Sequence, residues 1–150
     1  MKQKIIISSE ELRKRALVVI QALPLEPVLE VVIREYKKDR SSSQNALYWQ
    51  WLTIIGNELG ETKEELHEQY KGKFLVSIYE RDDLDYAEML QTLRDVYREG
   101  MRDKALSLRK KIVALTSTTT ATVVQMTEYL QAIDHDAASM SIYLPHPDDY

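Results

Sequence analysis

At 150 residues, with 44% hydrophobic and 29% charged residues and only four Gly and four Pro, the chain has the make-up of one globular domain, long enough to bury a core. The absence of Cys excludes disulfides and Cys-ligated zinc. The net charge of −4 is unevenly placed, with 9 Lys+Arg against 7 Asp+Glu in residues 1–59 and 11 against 17 in residues 60–150. That balance weighs against tight nonspecific DNA binding by a monomer, but leaves room for a local basic surface.

In chain order, residues 2–7 are rich in Ile and predict a short strand. They lack the pattern of a signal peptide, and no apolar run approaches the roughly 20 residues of a membrane span. A cytoplasmic protein is expected. Ser8 with Glu11 fits a capping box opening a helix to Leu23, with Leu12, Ala16, Val19 and Leu23 on one face. Pro24 and Pro27 end it, and the β-branched residues 28–36 predict a second strand. A long helix runs from Ser42 to Leu59 and stops at Gly60. Thr62 and Glu65 cap another helix to about Phe74, and residues 75–79 either continue it or form a short extended piece.

Asp82-Asp83-Leu84-Asp85 caps a helix to about Glu99, with Leu84, Ala87, Leu90 (or Met89), Leu93 and Tyr97 as its inner stripe. Residues 101–111 are basic and ambiguous. Ile112-Val113-Ala114-Leu115 reads as a strand, followed by a hydroxyl-rich loop, Thr116 to Thr120. A helix from Thr122 to about Met140 turns Val123, Met126, Leu130 and Ile133 inward, and an extended tail follows. These elements predict an α+β fold: a small sheet packed with a predominantly helical C-terminal part. One domain covers 1–150, with strand–helix–strand in 1–40, helices in 41–140 and a short extended tail.

The stretch from Lys37 to Trp51 carries the chemistry. Lys37, Lys38 and Arg40 put three cations in four residues; Ser41, Ser42, Ser43, Gln44 and Asn45 follow, then Tyr48, Trp49 and Trp51. Cations neutralise phosphates, hydroxyls and amides hydrogen-bond the strand, and aromatics stack on bases. A helix start there would also attract a phosphate. Blander readings exist: a serine N-cap, and lysines guarding a strand edge. Helical phase places Trp51 in the core with Leu47, Tyr48, Ile54, Ile55 and Leu59, and Trp49 about 160° away among Asn45, Leu52, Thr53 and Gly56. Trp49 then meets a partner or ligand, or is covered by another part of the same chain. A second basic group, Arg98, Arg102, Lys104, Arg109, Lys110 and Lys111, is either a solvated face or, with the Thr-rich loop, another phosphate-binding edge.

Signals for an enzyme are poor. His67, His135 and His146 are isolated, and there is no glycine-rich phosphate loop. Glu35-x-Lys37 resembles a metal-nuclease element, but such a site needs an upstream acidic ligand; no Asp precedes Asp39, and only Glu26 and Glu30 are near.

Arg40-Ser41-x-x-Gln44-Asn45 with its aromatic helix resembles the NinB/Orf family of lambdoid phages, including its YbcN prophage relatives. Leu115-Thr116-Ser117-Thr118-Thr119, Met126-x-x-Tyr129-Leu130-x-x-Ile133 and Leu144-Pro145-x-Pro147 fit the same pattern, so the resemblance runs from about Pro27 to Pro147. It implies a non-enzymatic recombination mediator that binds DNA, single strands above all, forms homodimers, contacts the host single-strand-binding protein and assists recombinase loading. The YbcN branch carries the label of a base-flipping protein. The DNA-binding residues expected here are Lys37, Lys38, Arg40, Ser41, Gln44, Asn45 and Trp49, with no metal or other cofactor. The competing readings are a metal-dependent nuclease using Glu35 and Lys37, and a protein-interaction adaptor without DNA contact.

Overall fold

The computed structural model describes residues 3–36 and 42–147. The chain divides into two units, Met1–Lys37 and Lys38–Tyr150. The first holds one helix, α1 (Glu10–Gln21). Its cap is Ser9 rather than Ser8: the Ser9 hydroxyl accepts from the Leu12 N–H at 3.2 Å, and Glu10 and Glu11 meet the positive end of the helix. Ala16 is buried, and Leu12, Val19 and Leu23 are half-buried beside it, the face that periodicity predicts.

The α+β expectation is overturned. Among the described residues there is no β-strand, and the two stretches expected to form a sheet, 2–7 (described from residue 3) and 28–36, carry no strand pairing. The Lys4 ammonium lies 5.4 Å from the Tyr36 ring centroid, so the two stretches do approach each other. Their β-branched residues nevertheless face water, Val28 at 96% exposure and Ile33 at 87%. Two short strands form a marginal ribbon, and burial against a further layer normally stabilises it. β-propensity records fit to a half-buried pleated surface, and here that surface is missing.

The second unit is helical throughout its described elements. α2 (Ser42–Leu59) and α3 (Lys63–Tyr70) form an antiparallel pair, turned by Gly60 in the left-handed region at φ 72°. The Glu61 N–H returns to the Gly56 carbonyl at 3.0 Å, and Thr62 and Glu65 close the capping box expected for α3. A π-helical turn, Lys71–Leu75, carries α3 directly into α4 (Val76–Asp82), so residues 75–79 continue the helix. α5 (Leu84–Arg98) starts on the Asp83 cap and ends at Gly100. α6 (Arg102–Leu115) takes in the ambiguous basic stretch and also Ile112 to Leu115, a third strand expectation that fails. Ile112 and Val113 are buried on a helix face, and that tertiary burial overrides their β preference. After a 3-10 turn at Thr118–Thr120, α7 (Val123–Ser139) opens with a Thr122–Gln125 capping box.

Two clusters of side chains hold this unit. The larger gathers Leu47, Tyr48, Trp51, Leu52 and Ile55 of α2 with Leu66 and Tyr70 of α3 and Met126, Tyr129, Leu130 and Ile133 of α7. Ser141, at φ 61°, reverses the chain after α7, and the tail returns along it to bury Ile142 and Leu144. Trp51 donates its indole N–H to the Pro145 carbonyl at 2.9 Å, and His146 meets Asp134 at 2.7 Å. The smaller cluster joins Val76 to Leu90 and Leu93 of α5 and to Ala105, Ile112 and Val113 of α6. Leu84 and Tyr97, expected in the inner stripe of α5, are exposed; Tyr86 and Val96 pack instead. Lys71 is 2% exposed, and its ammonium is satisfied there: it meets Glu68 at 2.6 Å and donates to the carbonyls of Thr116 at 3.1 Å and Ala114 at 3.4 Å, at the C-terminal end of α6.

Candidate nucleic-acid interface

The start of α2 is fastened to the start of α7. Gln44 is 2% exposed, and its Nε2 donates to Thr127 Oγ1 at 2.9 Å and toward the Val123 carbonyl at 3.4 Å. One turn on, the buried hydroxyls of Tyr48 and Tyr129 lie 3.2 Å apart. The two helices therefore run side by side in the same direction, with their N-terminal, electropositive ends together. Gln44 thus sits inside the helix pair. Asn45 is half-buried and Ser43 exposed in the same first turn. Lys37, Lys38, Arg40 and Ser41, the other expected phosphate and strand contacts, lie outside the described residues.

The helical phase of the tryptophans holds in part. Trp51 is 0% exposed, in the core as expected. Trp49 is half-buried, because α3 covers part of its face. The close approach rests on Gly56: a Cβ there would run into the Glu61 carbonyl oxygen and sit 3.4 Å from Leu66 Cδ1. Leu52, on the side expected to be polar and open, is fully buried for the same reason. The Trp49 ring closes a triangle with Tyr48, centroids 5.3 Å apart, and His67, centroids 4.9 Å apart at 35°, those two rings being 5.8 Å from each other. The Tyr48 hydroxyl and His67 Nδ1 share a 2.7 Å hydrogen bond. Burial pushes the Tyr129 phenol well above its usual range, so that end of the chain of hydroxyls stays protonated. His67 was isolated in the sequence. Its only sequence signal is its place on α3, one residue from inward-facing Leu66 and one turn before inward-facing Tyr70.

The second basic group does not converge with this region through any contact among the described residues. Arg98, Arg102, Lys104, Arg109, Lys110 and Lys111 are exposed on the α5–α6 pair. Arg102 lies 5.4 Å from the Tyr97 ring, and Arg109 donates to the Gly72 carbonyl at 3.1 Å. A cleft of about 390 Å³ beside them is lined by Val76, Leu90, Leu93 and Tyr97, and its Arg94 is paired with Glu80 at 2.6 Å. The Thr-rich loop is built inward: Thr116 and Thr118 are buried, Tyr86 bonds Thr116 at 2.7 Å, and Tyr79 donates to the Ser117 carbonyl at 2.6 Å. Glu35 is exposed, and Lys37 lies outside the described residues. Among the described residues no three His, Asp or Glu side chains come together as metal ligands, and no helix is long and apolar enough to cross a membrane.

A family model described as NinB protein matches residues 1–94, well over half of the chain. The chain belongs to the NinB family. Membership ties it to phage recombination, as the resemblance carried by Arg40 to Asn45 implies. The NinB match takes in α1 to α4 and most of α5, and with them the basic cluster, Trp49 and His67; Thr127 and Tyr129 of α7 lie beyond it. Comparison with curated proteins and with solved structures finds no match.

Proposed function

We propose that this NinB-family protein is a DNA-binding accessory of phage recombination, which takes single-stranded DNA along the start of α2 and performs no covalent chemistry on it. The observation that carries this reading is Trp49: a half-buried indole, backed by Tyr48 and His67, two turns into a helix that follows three cations in the sequence. Aromatic faces fixed beside a basic track are how proteins hold single strands without reading sequence. The adjacent N-termini of α2 and α7 add a positive field for phosphate. In this reading Lys37, Lys38 and Arg40 neutralise phosphates, Ser41 and Asn45 hydrogen-bond the strand, and Gln44 keeps α2 against α7.

The partners follow from the family resemblance: a second copy of the chain, the host single-strand-binding protein, and a recombinase whose loading is assisted. The exposed β-branched residues Val28, Val32 and Ile33 suit the first of these, since a second copy could supply the missing burial. The test is titration of labelled single- and double-stranded oligonucleotides at two salt concentrations, with and without magnesium. Salt-sensitive binding that favours single strands, with every strand left intact, is expected. Binding absent at both salts would leave an adaptor, and magnesium-dependent cleavage would restore the nuclease.

A further inference from the structure

We propose that His67 is a positioning residue for Trp49, setting the indole as a rigid face for a nucleobase; this rests on the DNA-binding reading above. The Trp49 indole N–H has no hydrogen-bond partner among the described residues, so core packing and its two ring contacts orient it. One of those rings, Tyr48, is its chain neighbour and stands at a 60° tilt. The imidazole of His67, nearer and closer to parallel, supplies the backing plane.

His67 is itself fixed from two sides. Its Nδ1 is bonded to the hydroxyl of fully buried Tyr48, which in turn meets Tyr129 of α7, so the imidazole cannot turn without breaking a buried chain of hydrogen bonds. Its helix is fixed by the Thr62–Glu65 capping box, by buried Leu66 and Tyr70, and by the Gly56 contact that leaves no slack between α2 and α3. A flat face whose orientation is settled before the strand arrives loses less freedom on binding, which is how preorganisation raises affinity.

The experiment is a double-mutant cycle in the full chain, with two readouts: affinity for a single-stranded oligonucleotide and tryptophan emission. Trp49→Ala is expected to weaken binding by roughly 5- to 150-fold, the worth of one stacked base. His67→Ala is expected to weaken it by a large part of that factor alone, and by no further factor in the Trp49→Ala background. Emission should shift to the red on His67→Ala in the parent and stay unchanged in the Trp49→Ala background. Should His67→Ala unfold the chain, His67→Phe, which keeps a ring but removes the bond to Tyr48, is read in the same cycle with the same expected pattern. A His67 substitution that costs nothing, or costs the same in both backgrounds, overturns the positioning role while Trp49→Ala remains impaired. Unaltered binding by Trp49→Ala overturns the stacking reading and the positioning role together.

Discussion

Gln44 Nε2 donates to Thr127 Oγ1 at 2.9 Å, a hydrogen bond between residues 83 apart that joins the first turn of α2 to the start of α7. It makes a side chain that reads as a strand-binding amide into the fastening of the helix pair. Gln44→Ala should lower the unfolding free energy by about 1–3 kcal/mol, through the lost bonds and the space left behind. Urea denaturation measures it, and a variant as stable as the parent would contradict the fastening role.

The two tryptophans separate by burial. Trp51 is wholly enclosed and bonded to Pro145, so Trp51→Ala should cost about 3–5 kcal/mol and loosen the C-terminal tail. Trp49 is half-buried, and Trp49→Ala should cost about 1–2 kcal/mol. Thermal or urea unfolding of both variants gives the comparison; equal costs would mean that the packing of α2 is misassigned.

Arg81 bonds Asp82 at 2.7 Å, and Gln125 also donates to it at 3.0 Å; these bonds pull the Asp82 carboxyl down to about 2. A depressed folded value means that the unfolded chain takes up the proton first as pH falls. The contribution of Asp82 is therefore whole above about pH 4, shrinks as pH drops toward 2, and is gone below both values. The stability gap between the parent and Asp82→Asn should close over that interval. A gap that stays constant from pH 5 to pH 2 would show that the carboxylate charge contributes nothing.

Helix positions were legible where the signal was local, to within one residue at the α1 cap, which is Ser9 and not Ser8. Ser42 to Leu59, its stop at Gly60, and the Thr62 capping box all follow from residues within a turn or two of each other. The errors arise where a neighbour decides. Val31-Val32-Ile33 is strand-prone, yet becomes a strand only with a partner and a surface to cover. Ile112-Val113 has the same preference and lies in α6, because that face of the helix is buried against α5. At the candidate site, the phase of α2 put Trp51 inward, but Leu52 and half of Trp49 were covered by α3, whose approach depends on Gly56 and Leu66. His67 was illegible because its value comes from two rings and a hydroxyl on another helix.

Arg40 belongs to the cluster proposed to neutralise phosphate. Arg40→Ala should weaken binding to every oligonucleotide sequence by a similar factor and reduce the salt slope by about one unit, the signature of one lost phosphate contact. A titration series across salt concentrations checks it. Unchanged affinity and slope would remove Arg40 from the interface.

The central claim is that single-stranded DNA lies along the start of α2 and against Trp49, and its most direct test is the affinity of the parent and of Trp49→Ala for one single-stranded oligonucleotide across a salt series. The parent should bind with an affinity that falls steeply as salt rises. Trp49→Ala should bind roughly 5- to 150-fold more weakly with the same salt slope, because stacking is lost and the phosphate contacts remain. A parent that shows no salt-dependent binding, or a Trp49→Ala protein that binds as the parent does, would contradict the account.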